Sequence, residues 1–282
     1  MQVYAKILVF LHKQLYTIPM KCGFYVKKAD MHCMECAEKF FSFFSQRKVC
    51  CYYVENSVSD DTDFLLVFGG DGTMLRACSL IMGKKVPILG INFGRLGFLT
   101  ELTSEANPEV VFQRLSSGDY TLENRSTIKI NYNTAFYTAL NDVVISRSDN
   151  INVVKVLVSD GKDTIQNFYG DGIIFSTPTG STAYTLSAGG PIISPNLEAV
   201  AITPICPHTT SRYSILVPTD VKLFVTVEVR GKGNVAVDGK NLTPFETKMD
   251  FEISKGDGCL SFVKMDGQSF YSKLVKKLSC QG

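Results

Sequence analysis

Phe64-Leu-Leu-Val-Phe68 is an unbroken apolar run that leads without a spacer into Gly69-Gly-Asp-Gly-Thr73. A run of that kind suits a strand covered on both faces, as in parallel sheets. Residues Thr73 to Met82 then read as a helix, so strand, glycine turn and helix follow one another directly. Such a junction leaves unpaired N–H groups at the positive end of the helix, and glycine lets a phosphate approach them. Asp71 cannot itself bind the anion; its carboxylate would act on a hydroxyl or on a magnesium ion. Taken alone, the block reads equally well as a plain strand-to-helix turn with Asp71 as N-cap.

A second turn strengthens the first reading. Pro87 to Leu99 holds a short apolar strand, Ile88 to Ile91, followed by Gly94 and Gly97. The intervals allow two glycine turns side by side at the carboxyl ends of neighbouring parallel strands, where α/β sheets place ligands. A third block, Asp171-Gly-Ile-Ile-Phe-Ser-Thr-Pro-Thr-Gly-Ser-Thr-Ala-Tyr184, again sets hydroxyls and one carboxylate beside an apolar strand. Together the blocks suggest phosphoryl transfer.

The rest of the N-terminal half fits that frame. Cys22 to Val26 and Lys48 to Val54 read as strands, Met31 to Ser45 as a helix, and Asn107 to Ser117 as another helix opened by Asn107-Pro108. The alternation is that of a doubly wound parallel sheet. After about Glu123 the texture becomes alternating strands: Thr127 to Asn131, Phe136 to Ile145, Val153 to Ser159 and Val221 to Val229. Asp160-Gly161, Asp238-Gly239, Asp257-Gly258 and Asp266-Gly267 read as turns between strands. The expected division is therefore 1–122, α/β, and 123–282, β-rich.

Composition narrows the partners. A net charge of +2 with scattered Lys and Arg gives no electrostatic case for nucleic acid, and no apolar run approaches a membrane span. Nine cysteines without a framework point to a reducing, cytoplasmic setting. His32-Cys33-Met-Glu-Cys36 is the one cluster with a metal or redox look, and buried helix cysteines are the favoured reading.

Gly69 to Thr73, Gly90 to Phe98, Asn141-Asp142, Asp171-Gly172 with Ser176 to Tyr184, and Thr203-Pro-Ile-Cys-Pro-His208 together resemble an NAD kinase. The resemblance covers about 21–264; residues 1–20 match nothing in it and read as a loose extension. The Gly-Gly-Asp-Gly-Thr block is shared with lipid kinases, while the Ser176 to Tyr184 block is much narrower. The resemblance implies a Rossmann-like α/β first domain and an all-β, β-sandwich-like second domain with the active site between them. It also implies that 269–282 return to the first domain.

The implied chemistry moves the terminal phosphoryl group of ATP, or of polyphosphate, to the 2′-hydroxyl of the adenosine ribose of NAD. Asp71 is the implied catalytic base, and Gly69, Gly70 and Thr73 complete the phosphate-facing turn. Gly72, Arg76, Phe98, Asn141, Asp142, Asn152, Asp171, Thr182, Ala183, Tyr184, Ser187 and Lys240 are the implied substrate-binding positions. Asp142 stands where the family usually has glutamate, and Lys240 where it often has glutamine. Phe98 is equally readable as a core residue, and Arg76 as part of a solvated helix face. Magnesium is implied with the donor, no protein metal ligand is named, and a homodimer or homotetramer is expected. A lipid or sugar kinase and an NAD-sensing protein without turnover are the competing readings.

Overall fold

The N-terminal strands form the parallel sheet that their alternation with helices implies. β1 (Lys21–Val26), β2 (Cys50–Tyr53), β3 (Phe64–Phe68) and β4 (Ile88–Asn92) lie in the order β2-β1-β3-β4, every pair parallel. These are the coordinates of a computed structural model describing residues 19–27, 29–94, 97–148, 152–208, 212–265 and 269–279, with side chains to 277. The chain divides into two compact units, one running to Glu123 and resuming at Ser261, the other Asn124–Leu260. The expected extension at 1–18 and the expected turn Asp266-Gly267 lie outside the described residues.

In the first unit, β3 and β4 are buried along their whole length, as apolar strands in a two-faced parallel sheet must be. Helix α1 (Met31–Gln46) begins where Asp30 accepts the Cys33 N–H at 3.3 Å, and it turns Cys33, Cys36, Ala37, Phe40 and Phe44 inward. Burial pushes the Cys33 thiol up to about 11, so the pair sits as small apolar side chains rather than as thiolates. Helix α2 (Asp71–Ser79) follows β3, and β5 (Leu102–Thr103) runs beside β4. Helix α3 (Pro108–Ser117) is bounded by the Asn107 side chain, which accepts the Glu109 N–H, and by Gly118 at φ 75°.

The chain re-enters this unit through residues 261–264, where Phe262 pairs in parallel with Ile88. Val263 and Met265 join the core that holds Phe24, Phe40, Phe68 and Leu89. Helix α5 (Phe270–Ser279) is then pinned by Lys273, whose ammonium donates to Thr100 O at 2.7 Å and lies 3.3 Å from Glu101. Glu101 also accepts Met265 N at 3.0 Å and pairs with Lys264.

The second unit is β-rich. Its strands are β6 (Thr121–Tyr132), which begins at its border, β7 (Ala135–Ala139), β8 (Asp142–Arg147), β9 (Val154–Ser159), β10 (Thr164–Gly170) and β11 (Gly172–Ser176). They continue with β12 (Ala199–Ile205), β13 (Ile215–Pro218), β14 (Leu223–Val237), β15 (Lys240–Asn241) and the larger part of β16 (Phe245–Lys264). β14 changes partner along its length: Phe224 to Glu228 pair with β9, and Gly233 to Val237 pair with β8. Alternating residues such as Val143, Ile145, Val225, Val227 and Val235 enclose the main core with Phe168, Phe175 and Phe251. Val144, Ile174, Ile205 and Ala236 make a smaller cluster with Ala188.

Several expected elements are redrawn. Lys48 to Val54 is strand only over Cys50–Tyr53. Phe136 to Ile145 is two strands, because the backbone N–H groups of Leu140, Asn141 and Asp142 turn to the Asp238 carboxylate instead of a neighbouring strand. Asp257-Gly258 is no turn but lies inside β16, where Asp257 pairs with Lys129 at 2.7 Å and Gly258 O accepts the Thr127 hydroxyl. A dipeptide that favours a turn is overridden there by pairing with β6.

Candidate active site

In the first unit the glycine turn leads straight into α2. Gly70 is the N-cap in extended conformation, so Asp71 is the first helical residue, two positions ahead of the start expected from the sequence. A carboxylate in the first turn is favoured by the helix dipole. Its position is fixed by the loop that follows β4: Oδ2 accepts Phe98 N at 2.9 Å and Oδ1 accepts Leu99 N at 3.0 Å. Gly97 permits this approach, since a Cβ there would lie 2.1 Å from Asp71 Oδ1. The two glycine blocks of the sequence are thus joined through one carboxylate.

Gly72 and Arg76 are exposed on α2, with nothing within 4 Å of the space beside Gly72. Thr73 donates its N–H to Gly70 O at 2.9 Å, closing the turn that begins at Gly69. Phe98 is half-buried, 6.2 Å from the Phe270 ring. Lys277 of α5 contributes a cation that the sequence reading did not single out. Its ammonium lies 3.2 Å from Asp71 Oδ2 and 4.1 Å above the Phe98 ring.

The second unit gathers Asn141, Asp142 and the Ser176 to Tyr184 block. Thr177 donates its N–H to Asn141 O at 2.9 Å and its hydroxyl to Leu140 O. Gly180 is pressed against the same carbonyl, so that a Cβ would meet Asn141 O at 2.1 Å. The glycine inside the Thr-Pro-Thr-Gly-Ser run therefore marks the contact between two motifs that are distant in sequence. Buried Ser181 closes the loop by bonding to Pro178 O at 2.6 Å and accepting Ile193 N at 2.9 Å.

Thr182 lies in a short 3-10 turn (Gly180–Thr182), Ala183 in the link, and Tyr184 and Ser187 in the one-turn α4 (Tyr184–Ser187). Tyr184 and Ser187 are exposed, while Thr182 and Ala183 are partly so. Asp171 is paired with Arg147, Oδ1 to Nε at 2.9 Å. Lys240 is exposed after the Asp238-Gly239 turn, and Asn152 is half-buried just before β9.

Asp142 is 5% exposed, and burial with the neighbouring Asp238 carboxylate pushes its carboxyl up to about 7. Burial raises Asp238 as well, opposed by the N–H groups of Leu140, Asn141 and Asp142. These three bonds, at 2.9, 2.7 and 3.2 Å, make Asp238 the organiser of the Asn141-Asp142 loop. A local reading sees in Asp238 only a turn residue; the contact spans nearly a hundred positions and leaves no local signal.

No helix among the described residues is long and apolar enough to cross a membrane. No cluster of three or more metal-ligating side chains occurs among them.

Comparison with known proteins identifies the family of the chain. The ATP-NAD kinase N-terminal domain matches residues 2–120, and the ATP-NAD kinase C-terminal domain matches 140–265. The NAD kinase of Symbiobacterium thermophilum is 39% identical over 226 residues, 78% of this chain and 79% of that protein. The NAD kinase of Methanothermobacter thermautotrophicus is 37% identical over 230 residues, 80% of each. Among solved structures, yeast NADH kinase complexed with NADH superposes with a TM-score of 0.79 at 20% identity, over 93% of this chain and 88% of that one. An NAD kinase from Archaeoglobus fulgidus in complex with ATP gives 0.73 at 25% identity, over 91% and 99%. With both of its domains matched and relatives this similar over most of its length, the chain belongs to the NAD kinase family.

Proposed function

We propose that this chain transfers the terminal phosphoryl group of ATP to the 2′-hydroxyl of the adenosine ribose of NAD, forming NADP. The observation that carries the reading is the Asp71 carboxylate, held by two backbone N–H groups at the opening of α2 beside the glycine turn. Phosphoryl transfer passes through a loose transition state, so positioning and charge compensation supply most of the rate. Asp71 orients the acceptor hydroxyl and takes its proton late. Gly70 and Gly72 present backbone N–H groups to donor phosphates, in a turn that Gly69 and Thr73 complete through their own bonds to Ile91 O and Gly70 O, and exposed Arg76 supplies a charged fork.

The acceptor is held by the remaining positions: Phe98 offers a ring face to the adenine, and Asn141 and Asp142 grip the ribose and adenine side. Asp171 addresses the nicotinamide end, while Thr182, Ala183, Tyr184 and Ser187 line the dinucleotide with small dipoles. Asn152 and Lys240 are peripheral contacts. Asp142, one methylene shorter than the usual glutamate and buried beside Asp238, reaches its ligand as a neutral hydrogen-bonding acid below about pH 7.

The described residues offer no cage for a resident metal. Magnesium would come in on the donor phosphates, where it would screen their charge and keep several waters. The working assembly is a homodimer or homotetramer in a reducing, cytoplasmic compartment. Light scattering on the active protein tests the first point, and a monomeric mass with full activity would remove it.

The decisive experiment incubates purified protein with NAD, magnesium and either ATP or polyphosphate, and quantifies NADP beside an Asp71→Asn control. NADP from ATP with the unmutated protein alone is the expected result. NADP from polyphosphate alone would reassign the donor, and tight NAD binding with no NADP from either donor would leave a sensor.

A further inference from the structure

We propose that Lys277 is a positioning residue for the reaction, acting through Asp71. The argument rests on the reading of Asp71 as the base. An ionised carboxylate has about four lone-pair sites, two on each oxygen. Among the described residues, Oδ2 accepts from Phe98 N and from the Lys277 ammonium, so both of its sites are filled. Oδ1 accepts from Leu99 N alone, which leaves one site for the proton of an incoming hydroxyl. Lys277 thereby selects which oxygen of Asp71 receives the acceptor.

The same ammonium stands 4.1 Å over the Phe98 ring, within the range of a cation–π contact. One cation therefore steadies both the carboxylate and the aromatic side chain whose N–H holds that carboxylate. A flexible lysine needs a rigid base to do this. Helix α5 has one, because Lys273, one turn earlier and buried, is bonded to Thr100 O at 2.7 Å and paired with Glu101. Thr100 directly follows the Phe98 and Leu99 donors in the chain. The loop that fixes Asp71 and the helix that delivers Lys277 are thus locked to each other. The exposed Lys276 side chain is one residue away on the same helix and has no such contact with Asp71 among the described residues.

The test uses Lys277→Met, Lys277→Arg, Lys276→Met and Asp71→Asn in the full chain, reading NADP formation and NAD binding. Lys277→Met is expected to lower kcat about a hundredfold, the scale of a small misplacement of a catalytic group. The KM for ATP should change by less than about threefold and the KM for NAD by less than about tenfold, since NAD loses only the steadying of the Phe98 ring. Lys277→Arg should recover at least about a tenth of the lost rate by restoring the charge, and Lys276→Met should behave as the unmutated protein. An unchanged kcat in Lys277→Met beside an inactive Asp71→Asn would overturn the role of Lys277 and leave the base in place. A lost rate accompanied by lost NAD binding, with no recovery in Lys277→Arg, would reduce Lys277 to a fold contact. Full activity in Asp71→Asn would remove the base reading, and Lys277 with it.

Discussion

Asp71 and Asp142 are carboxylates of the two units placed in opposite environments. Asp71 is 31% exposed at a helix N-terminus, held by two N–H groups and faced by an ammonium. Asp142 is buried and faces a second carboxylate, Asp238, so its surroundings favour the proton. The carboxylate proposed to accept a proton during reaction is partly open and surrounded by donors. The carboxyl proposed to hold a ligand is buried and favours its neutral form. Two aspartates that look alike in sequence are assigned different chemistry by what faces them.

The sharpest way to break the contrast is to replace each carboxyl in turn. Asp71→Asn is expected to lower kcat about a thousandfold, within the range of a lost general base, without loss of folding. An active Asp71→Asn protein would abolish the distinction. Gly97→Ala should follow at about a hundredfold, because the new methyl must displace Asp71 Oδ1. Kinetics beside a melting curve would separate displacement from unfolding, and a variant with unmutated rates would show that the close approach is dispensable.

Asp142→Asn acts on stability and carries a pH signature. Because the folded-state value lies near 7, above the ordinary 3.8, the folded protein binds a proton that the unfolded chain has released. Stability from this group is full below the unfolded value and is lost as pH rises to about 7. Asp142→Asn, which mimics the neutral acid, should therefore gain on the unmutated protein as pH rises, by about 2 kcal/mol between about pH 5 and about pH 8. Denaturant melts at the two pH values measure it. A difference independent of pH would mean that Asp142 is ionised throughout and that the contrast with Asp71 is one of exposure alone.

The elements around Asp71 were legible because their signals are local. The apolar run Phe64–Phe68, the glycines after it and the Asn107-Pro108 helix start act over a few residues, and the structure forms β3, α2 and α3 there. The sequence places the start of α2 two residues late, since Gly70 serves as N-cap without any side chain to announce it. The second unit was harder. Phe136 to Ile145 has the texture of one strand, and only Asp238 breaks it. Asp257-Gly258 has the texture of a turn, and only pairing with β6 straightens it.

From its residues alone the chain declared a parallel α/β unit followed by a β-rich one, and a resemblance to NAD kinases carried by short blocks whose spacing is written in order. Backbone preference, apolar periodicity and motif chemistry are properties of neighbouring residues, so a linear reading reaches them. Which carboxylate is faced by a cation and which by a second carboxylate depends on Lys277 and Asp238 arriving from far along the chain. Charge is set by what stands within a few ångströms in space, and only the folded chain determines that.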